Sequence, residues 1–387
     1  MRRRALLTAL SVLLGPLSLD AGDPIFDQNT LHEVRIEMDP GDWESLRANY
    51  LTNQYYAVNI SLDNAVVQQV GIRSRGTGSR DAAKPGLKVD FNKYVSGQEF
   101  HGYKSLVLDN LVQDASFLRE RMAFKVFEAM GIPAPQNAFA RLTVNGEYAG
   151  VYNLVEPVSK PFLKARLGDD SGNLFDYEYV SPYYFAYLGS DPAAYVPSPF
   201  EPQTNEDSLN ASGLVEFIRV INEAPDSSFA QDVGRMVDVN KFLTYLAVEN
   251  ALAEFDGFVG EFGMNNFYLY QYGGQTKFEF IPWDKDTSFS SPNWPIFQRV
   301  GDNVLSRRLL ASASMQAVYV GAVKKAVNSY LNSRWLLPEL EKAYTQIREA
   351  VLLDTRKPAS NDDFELSVLG LRGIVAGREA DVLAQAP

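Results

Sequence analysis

Strict alternation of apolar and polar positions dominates the first 160 residues. LHEVRIEMD, beginning at Leu31, alternates as a strand, and the Pro40-Gly41-Asp42 turn behind it starts an amphipathic helix at Trp43. YYAVNISLDNAVVQQVGIRSRG reads as two strands around an Asp63-Asn64 turn. LKVDF is the next strand, with Leu87, Val89 and Phe91 on one face and Lys88 and Asp90 on the other. The run 116–130, SFLRERMAFKVFEAM, changes to helical spacing and stops at Gly131 with a proline two residues on. ARLTVNGEYAGVYNLVEPV then predicts a hairpin turning at Asn145-Gly146.

Helical periodicity takes over in the second half, over 214–223, 239–253, 304–311, 315–329, 335–351 and 364–384. One hairpin interrupts it at 265–286, NNFYLYQYGGQTKFEFIPWDKD, with Phe267, Leu269, Phe278 and Phe280 available to a core. The expected class is α+β. Between the halves, 181–208 is rich in Pro, Tyr and Ser and too long for an ordinary connection, so it is either a flap over a site or a variable surface loop.

The 387 residues, 46% of them hydrophobic, suffice for two domains or one large bilobal one. A net charge of −12 and a pI near 4.8 argue against a general grip on nucleic acid or anionic lipid, so an anionic ligand must meet a local group of Arg and Lys. MRRRALLTALSVLLGPLSLDAG has the order of an export signal, expected at 1–21, with a buried N-terminal helix as the other reading. Its apolar run is too short to span a bilayer, and no integral span is expected in the mature chain. There is no cysteine, and His32 and His101 lie far apart, each expected at the surface or in a turn. Chemistry must come from carboxylates, Lys, Arg, Asn and hydroxyls.

GIRSRGTGSRDAAKPGLKVDF gathers Arg73, Arg75, Arg80, Lys84 and Lys88 around four glycines, either a phosphate-binding stretch or a basic hairpin tip. Arg119, Glu120 and Arg121 are either site residues or helix-surface charges, and Glu156, where the chain leaves a strand at Pro157, either serves a site or caps. Asp284 and Asp286 end the second hairpin strand one residue apart. In extended chain they point the same way and could converge on one hard cation, with Asn266 at the start of the partner strand and Asp256 just beyond a long helix. Such an Asn and several Asp resemble a magnesium site; loop capping is the alternative.

Taken together, GIRSRGTGSR with LKVDFNKY, LDNLVQDASFLRERMAFKVFEAMGIPAP, LTVNGEYAGVYNLVEPVSKPFLKARLG, DGF, NNFYLY, IPWDKDTSF and LRGIVAGREADVLAQ resemble the CotH family of secreted proteins. The resemblance runs over nearly all of 22–387. It implies an atypical protein-kinase-like bilobal fold, with a strand-rich lobe at 22–160 and a helical lobe at 161–387. It also implies ATP and Mg²⁺ as ligands and phosphate transfer to Ser or Thr of surface or coat proteins, outside the cell or at its surface. By position it puts Arg75 and Lys88 near the phosphates, Glu156 and Trp283 near the nucleotide and Asp284 on magnesium. Asp286 and Asn266 become supporting ligands and Asp256 the acid that takes the hydroxyl proton. Two departures stand out: VGEFGMN separates Asp256 from Asn266 by ten positions, and RGTGSR replaces the commoner Arg-Gly-Asn-Ser-Ser. The competing readings are a catalytically silent surface scaffold that binds nucleotide or a partner, and a kinase-like enzyme that transfers AMP or an amino acid.

Overall fold

The alternating runs of the first half close on themselves. In the computed structural model, which describes residues 23–179 and 183–386, seven strands form a barrel. They are β1 (His32–Met38), β2 (Tyr56–Leu62), β3 (Ala65–Arg75), β4 (Gly86–Asp90), β5 (Ser105–Asp109), β6 (Asn137–Val144) and β7 (Glu147–Val155), in the order β1-β2-β3-β4-β5-β7-β6. Only the β1–β6 closure is parallel. Closure leaves no sheet edge exposed. The expected export signal at 1–21 lies outside the described residues.

Cross-strand register decides which side chains line the barrel. Ser74, Leu87, Leu108 and Leu154 stand opposite one another and point inward with Ile72, Val89 and Leu142. The opposite parity puts Arg75, Lys88, Asp109 and Asn153 on the outer face, where Lys88 pairs with Val107 and Asp109 with Asn153.

Helix α1 (Pro40–Ala48) starts at Pro40 rather than Trp43, because the Asp39 carboxylate accepts from the amides of Gly41 and Asp42 and proline suits a first helical turn. Helix α2 (Arg119–Ala129) begins after 114–118, where Asp114 accepts from the amides of Ser116 and Arg119 at 2.9 and 2.8 Å. His32 corrects the surface expectation: it is 2% exposed, and its Nδ1 lies 2.8 Å from Asp63. His101 does sit in a turn, at φ 51°.

Beyond β7, α3 (Lys160–Leu167) leads to a four-stranded sheet in the order β11-β10-β8-β9, built from β8 (Asn173–Tyr177), β9 (Phe200–Pro202), β10 (Phe267–Gln271) and β11 (Phe278–Pro282). One face puts Phe175, Phe200, Phe267, Leu269, Phe278 and Phe280 into the main core. The other packs Leu174, Tyr268, Tyr270 and Ile281 against Phe162 and Leu163 of α3. The rest is helical: α4 (Ser212–Glu223), α5 (Phe229–Val233), α6 (Val239–Ala251), α7 (Val304–Leu310), α8 (Ala313–Ser329), α9 (Leu336–Leu353) and α10 (Asn361–Gln385).

The described part of 181–208 is not a loose surface loop. Tyr183, Phe185, Tyr195 and Phe200 are buried in the main core and the segment supplies β9, so its aromatic content serves packing. Lys84, after β3, meets Asp354 at the end of α9 at 2.7 Å with both side chains wholly buried. Gly150, at φ +117°, leaves room for that pair, since a Cβ there would lie 2.2 Å from the Asp354 carboxylate.

Candidate functional site

Asp284 follows β11 in a left-handed conformation, φ 49°, so the chain from Trp283 to Asp286 turns instead of running extended. The simple alternation expected for Asp284 and Asp286 therefore does not hold, yet both acids lie within the field of Asp109 and Glu120. Lys285, between them, turns into the interior, where its ammonium lies 2.9 Å from Glu249 and donates to the Asn266 carbonyl at 3.0 Å.

The barrel's outer face supplies the opposite wall. Arg75 donates to Asp109 at 3.1 Å, and its guanidinium lies 5.8 Å from the Trp283 ring centre. From α2, the Glu120 carboxylate accepts from Asn153 Nδ2 at 2.6 Å, while the buried Asn153 Oδ1 has no partner. Burial, then Asp109, pushes Asp284 up to about 7 against the pull of Arg75. Burial, then Asp284 and Asp109, raises Asp286 well above the carboxylate range, and burial with Asp109 does the same for Glu120. Among the described residues, none donates a hydrogen bond to Asp284 or Asp286. No three acidic side chains among them are arranged to hold an ion unaided. Two donor-less carboxylates beside an unpartnered amide oxygen suit a hard cation that takes its remaining ligands from water or phosphate.

Asp256 forms the other pole. Arg378 of α10 donates to the carbonyls of Asn250, Ala251 and Pro292 at 2.8 to 2.9 Å, fixing the end of α6. Glu254 then accepts the Thr287 and Ser288 hydroxyls and, at 3.1 Å, the Asp256 amide. Asp256 accepts from Asn265 at 3.0 Å and from Asn266 at 3.3 Å, and Asn266 also donates to the Asp256 carbonyl at 2.8 Å. The stretch between Asp256 and Asn266 thus folds back instead of parting the two. Gly260 makes this possible, because a Cβ there would lie 2.5 Å from the Phe255 carbonyl and 2.9 Å from the Asp256 Cα. Burial raises the Asp256 carboxyl, and Asp256 in turn raises Asp284.

The structure brings Arg75, Trp283, Asp284, Asp286, Asn266 and Asp256 into one neighbourhood. Lys88 stands beside it on β4, depressed by burial and feeling Arg73, Arg75 and Glu201. Glu156 stands apart. It is 2% exposed, and its oxygens accept from Tyr103 at 2.8 Å, the Gln136 amide at 2.9 Å and Arg166 at 3.4 Å. Of the other cations near the glycines, Arg80 clasps the carbonyls of Gly76, Tyr50 and Thr52, Arg73 holds Asn53, and Lys84 holds Asp354. On the sheet face toward α3, Asp176 lies opposite both Tyr268 and Glu201, and burial lifts it to about 7. A separate cleft of about 620 Å³, lined by Asp238, Lys241, Lys277 and Glu279, contains none of these groups.

Sequence reasoning missed Asp109, Asn153 and the inward role of Glu120. Strand parity with Lys88 marks Asp109, and Glu120 sits on the apolar stripe of α2 with Phe124 and Phe127, the signal of an inward-facing acid.

A sequence model of the family described as CotH kinase protein matches residues 72–380. Inner spore coat protein H of Bacillus subtilis is 28% identical over 311 residues, covering 76% of this chain and 81% of that protein. Invasin CotH3 of Rhizopus delemar is 22% identical over 358 residues and invasin CotH2 23% over 278; these alignments take in 83% and 68% of this chain but 55% and 46% of the fungal proteins. The chain therefore spans about half the length of those two. Among solved structures, the Helicobacter pylori proinflammatory kinase CtkA is similar at a TM-score of 0.32 and 10% identity, over 78% of this chain and 92% of that one. The family match starts in β3 before Arg75 and ends in α10 after Arg378, enclosing every residue of the acid cluster, and the chain belongs to the CotH kinase protein family.

Proposed function

We propose that this protein is an ATP- and Mg²⁺-dependent phosphotransferase of bilobal, kinase-like build that phosphorylates Ser or Thr of surface or coat proteins. The observation carrying this reading is the pair Asp284 and Asp286, the first half-buried and the second buried, neither with a donor, with the Arg75 guanidinium set against Asp284. Asp284 and Asp286 would hold the cation. Asn266 would add its Oδ1, since its Nδ2 is engaged by Asp256. When bound, Mg²⁺ would neutralise charge on the nucleotide phosphates.

The protein's own groups divide the remaining work. Arg75 and Lys88 meet phosphate charge on the barrel side, and Trp283 offers a flat surface toward the nucleotide. Glu156 acts through the strand end it fixes, its carboxylate being already filled. Asp256, oriented by Asn265 and Asn266, accepts the proton as the acceptor oxygen bonds to the γ-phosphorus and the bond to the β,γ-bridging oxygen breaks, releasing ADP. The expected export signal and the named role of the Bacillus relative in a spore coat support an acceptor outside the cytoplasm.

Incubation of the chain lacking 1–21 with γ- or α-labelled ATP, Mg²⁺ and candidate surface proteins tests the reading. Transfer of γ-label supports it. Transfer of α-label replaces it with adenylylation, and transfer of neither replaces it with a nucleotide- or partner-binding scaffold.

A further inference from the structure

The insertion between Asp256 and Asn266 leaves one large apolar side chain in solvent. Phe262 is 54% exposed, although the loop bearing it is held on every side. The Glu261 amide donates to the Phe255 carbonyl at 2.7 Å, the Gly263 amide to Gly260 at 3.1 Å and the Asn265 amide to Gly257 at 3.2 Å. Arg299 donates to the Glu261 carbonyl at 2.6 Å and to the Tyr184 hydroxyl at 3.2 Å, tying the loop to the aromatic segment before β9. Gly263, at φ +109°, takes a backbone that a side chain would strain.

A ring exposed on a mobile loop tip carries little information, but this one is fixed against the residue beside Asp256. The Phe262 and Phe255 rings meet edge to face at 5.4 Å, and Phe255 meets Trp294 at 6.3 Å. The three rings form an apolar row that runs from Trp294 through Phe255, the residue before Asp256, and ends in solvent at Phe262. Holding the ring there forgoes the burial that stabilises such a side chain elsewhere.

We infer that Phe262 and Phe255 form a subsite for the acceptor polypeptide, selecting an aliphatic or aromatic side chain close to the modified Ser or Thr. This rests on the phosphotransfer reading. Phe255 adjoins Asp256 and the Phe262 ring lies one ring contact further out. The selected residue therefore falls within about three positions of the hydroxyl, at roughly 3.5 Å per residue of extended chain. Neither ring reaches the reacting atoms; both set which acceptor stays.

The probe is a library of Ser- and Thr-centred peptides, randomised at flanking positions and incubated with γ-labelled Mg·ATP. Labelled peptides should be enriched in Leu, Ile, Met or Phe within three residues of the hydroxyl. With a peptide of the selected sequence, Phe262→Ala should raise the peptide KM roughly tenfold, the scale of one lost apolar contact, with the KM for ATP unchanged. Phe262→Leu should restore most of the preference. Labelling indifferent to apolar flanks, or a preference that survives Phe262→Ala, overturns the subsite and leaves phosphotransfer standing. No label on any peptide, with Mg·ATP still bound, overturns both.

Discussion

Lys285 gives its ammonium to Glu249 at 2.9 Å, both side chains wholly buried, so the only cation in the Trp283–Asp286 stretch is committed to another acid. Asp284 is left to share Arg75 with Asp109 and Glu120, and Asp286 lies in the field of Asp284, Asp109 and Glu120. An acid cluster so short of donors is destabilising until a cation enters it.

Asp286→Asn should therefore stabilise the metal-free protein, by about 1–3 kcal/mol, the usual cost of a buried polar group without a partner. The rise in Tm on adding Mg·ATP should shrink or vanish in the same variant, because the charge that holds the cation is gone. Scanning calorimetry with and without Mg·ATP reads both effects, which have opposite signs.

Asp256→Asn should separate binding from chemistry. Turnover of γ-label should fall roughly 100-fold or more, the scale of losing a positioned base, while Mg·ATP affinity by titration calorimetry changes little. Equal loss of binding and turnover would put Asp256 in the metal site.

Asp176 should set part of the pH dependence of stability. Burial raises its carboxyl from 3.8 to about 7 in the fold, so the folded state binds the proton more tightly than the unfolded chain does. Its contribution is complete below pH 3.8 and is lost as pH rises through 7. Asp176→Asn should remove that slope and be more stable than the parent at pH 8, by roughly 1–2 kcal/mol. Urea unfolding across pH 4–8 is the measurement.

Lys84→Met should cost about 3–5 kcal/mol, because it strands the Asp354 carboxylate in the interior. Urea unfolding at pH 7 checks it. A loss below about 1 kcal/mol would mean that water reaches Asp354 in solution.

Period-2 alternation and turn dipeptides located β1, β2, β3, β4, β6 and β7, and helical spacing located α2, α4, α6 and α7 to α10, because those signals are local. Strands β8 and β9 were not legible: each is short, and their place beside β10 depends on pairing across distant sequence. The pairing of Arg75 with Asp109 was hidden for the same reason, since it arises from the register of three strands. The left-handed turn at Asp284 was also invisible, so the two aspartates were placed by the wrong periodicity. Neighbours of Asp256 were better marked, because DGF and NNFYLY carry them within one short stretch.

Arg378 has a consequence for the order in which the molecule is made. Its guanidinium closes the end of α6, which leads straight to Glu254 and Asp256, yet it is synthesised more than a hundred residues after them. A nascent chain that has not yet delivered α10 leaves the carbonyls of Asn250 and Ala251 without their donor and the following loop without its anchor. The acid pole is thus completed only after α10 has been made, and until then the growing polypeptide carries Asp256 in an unfinished setting.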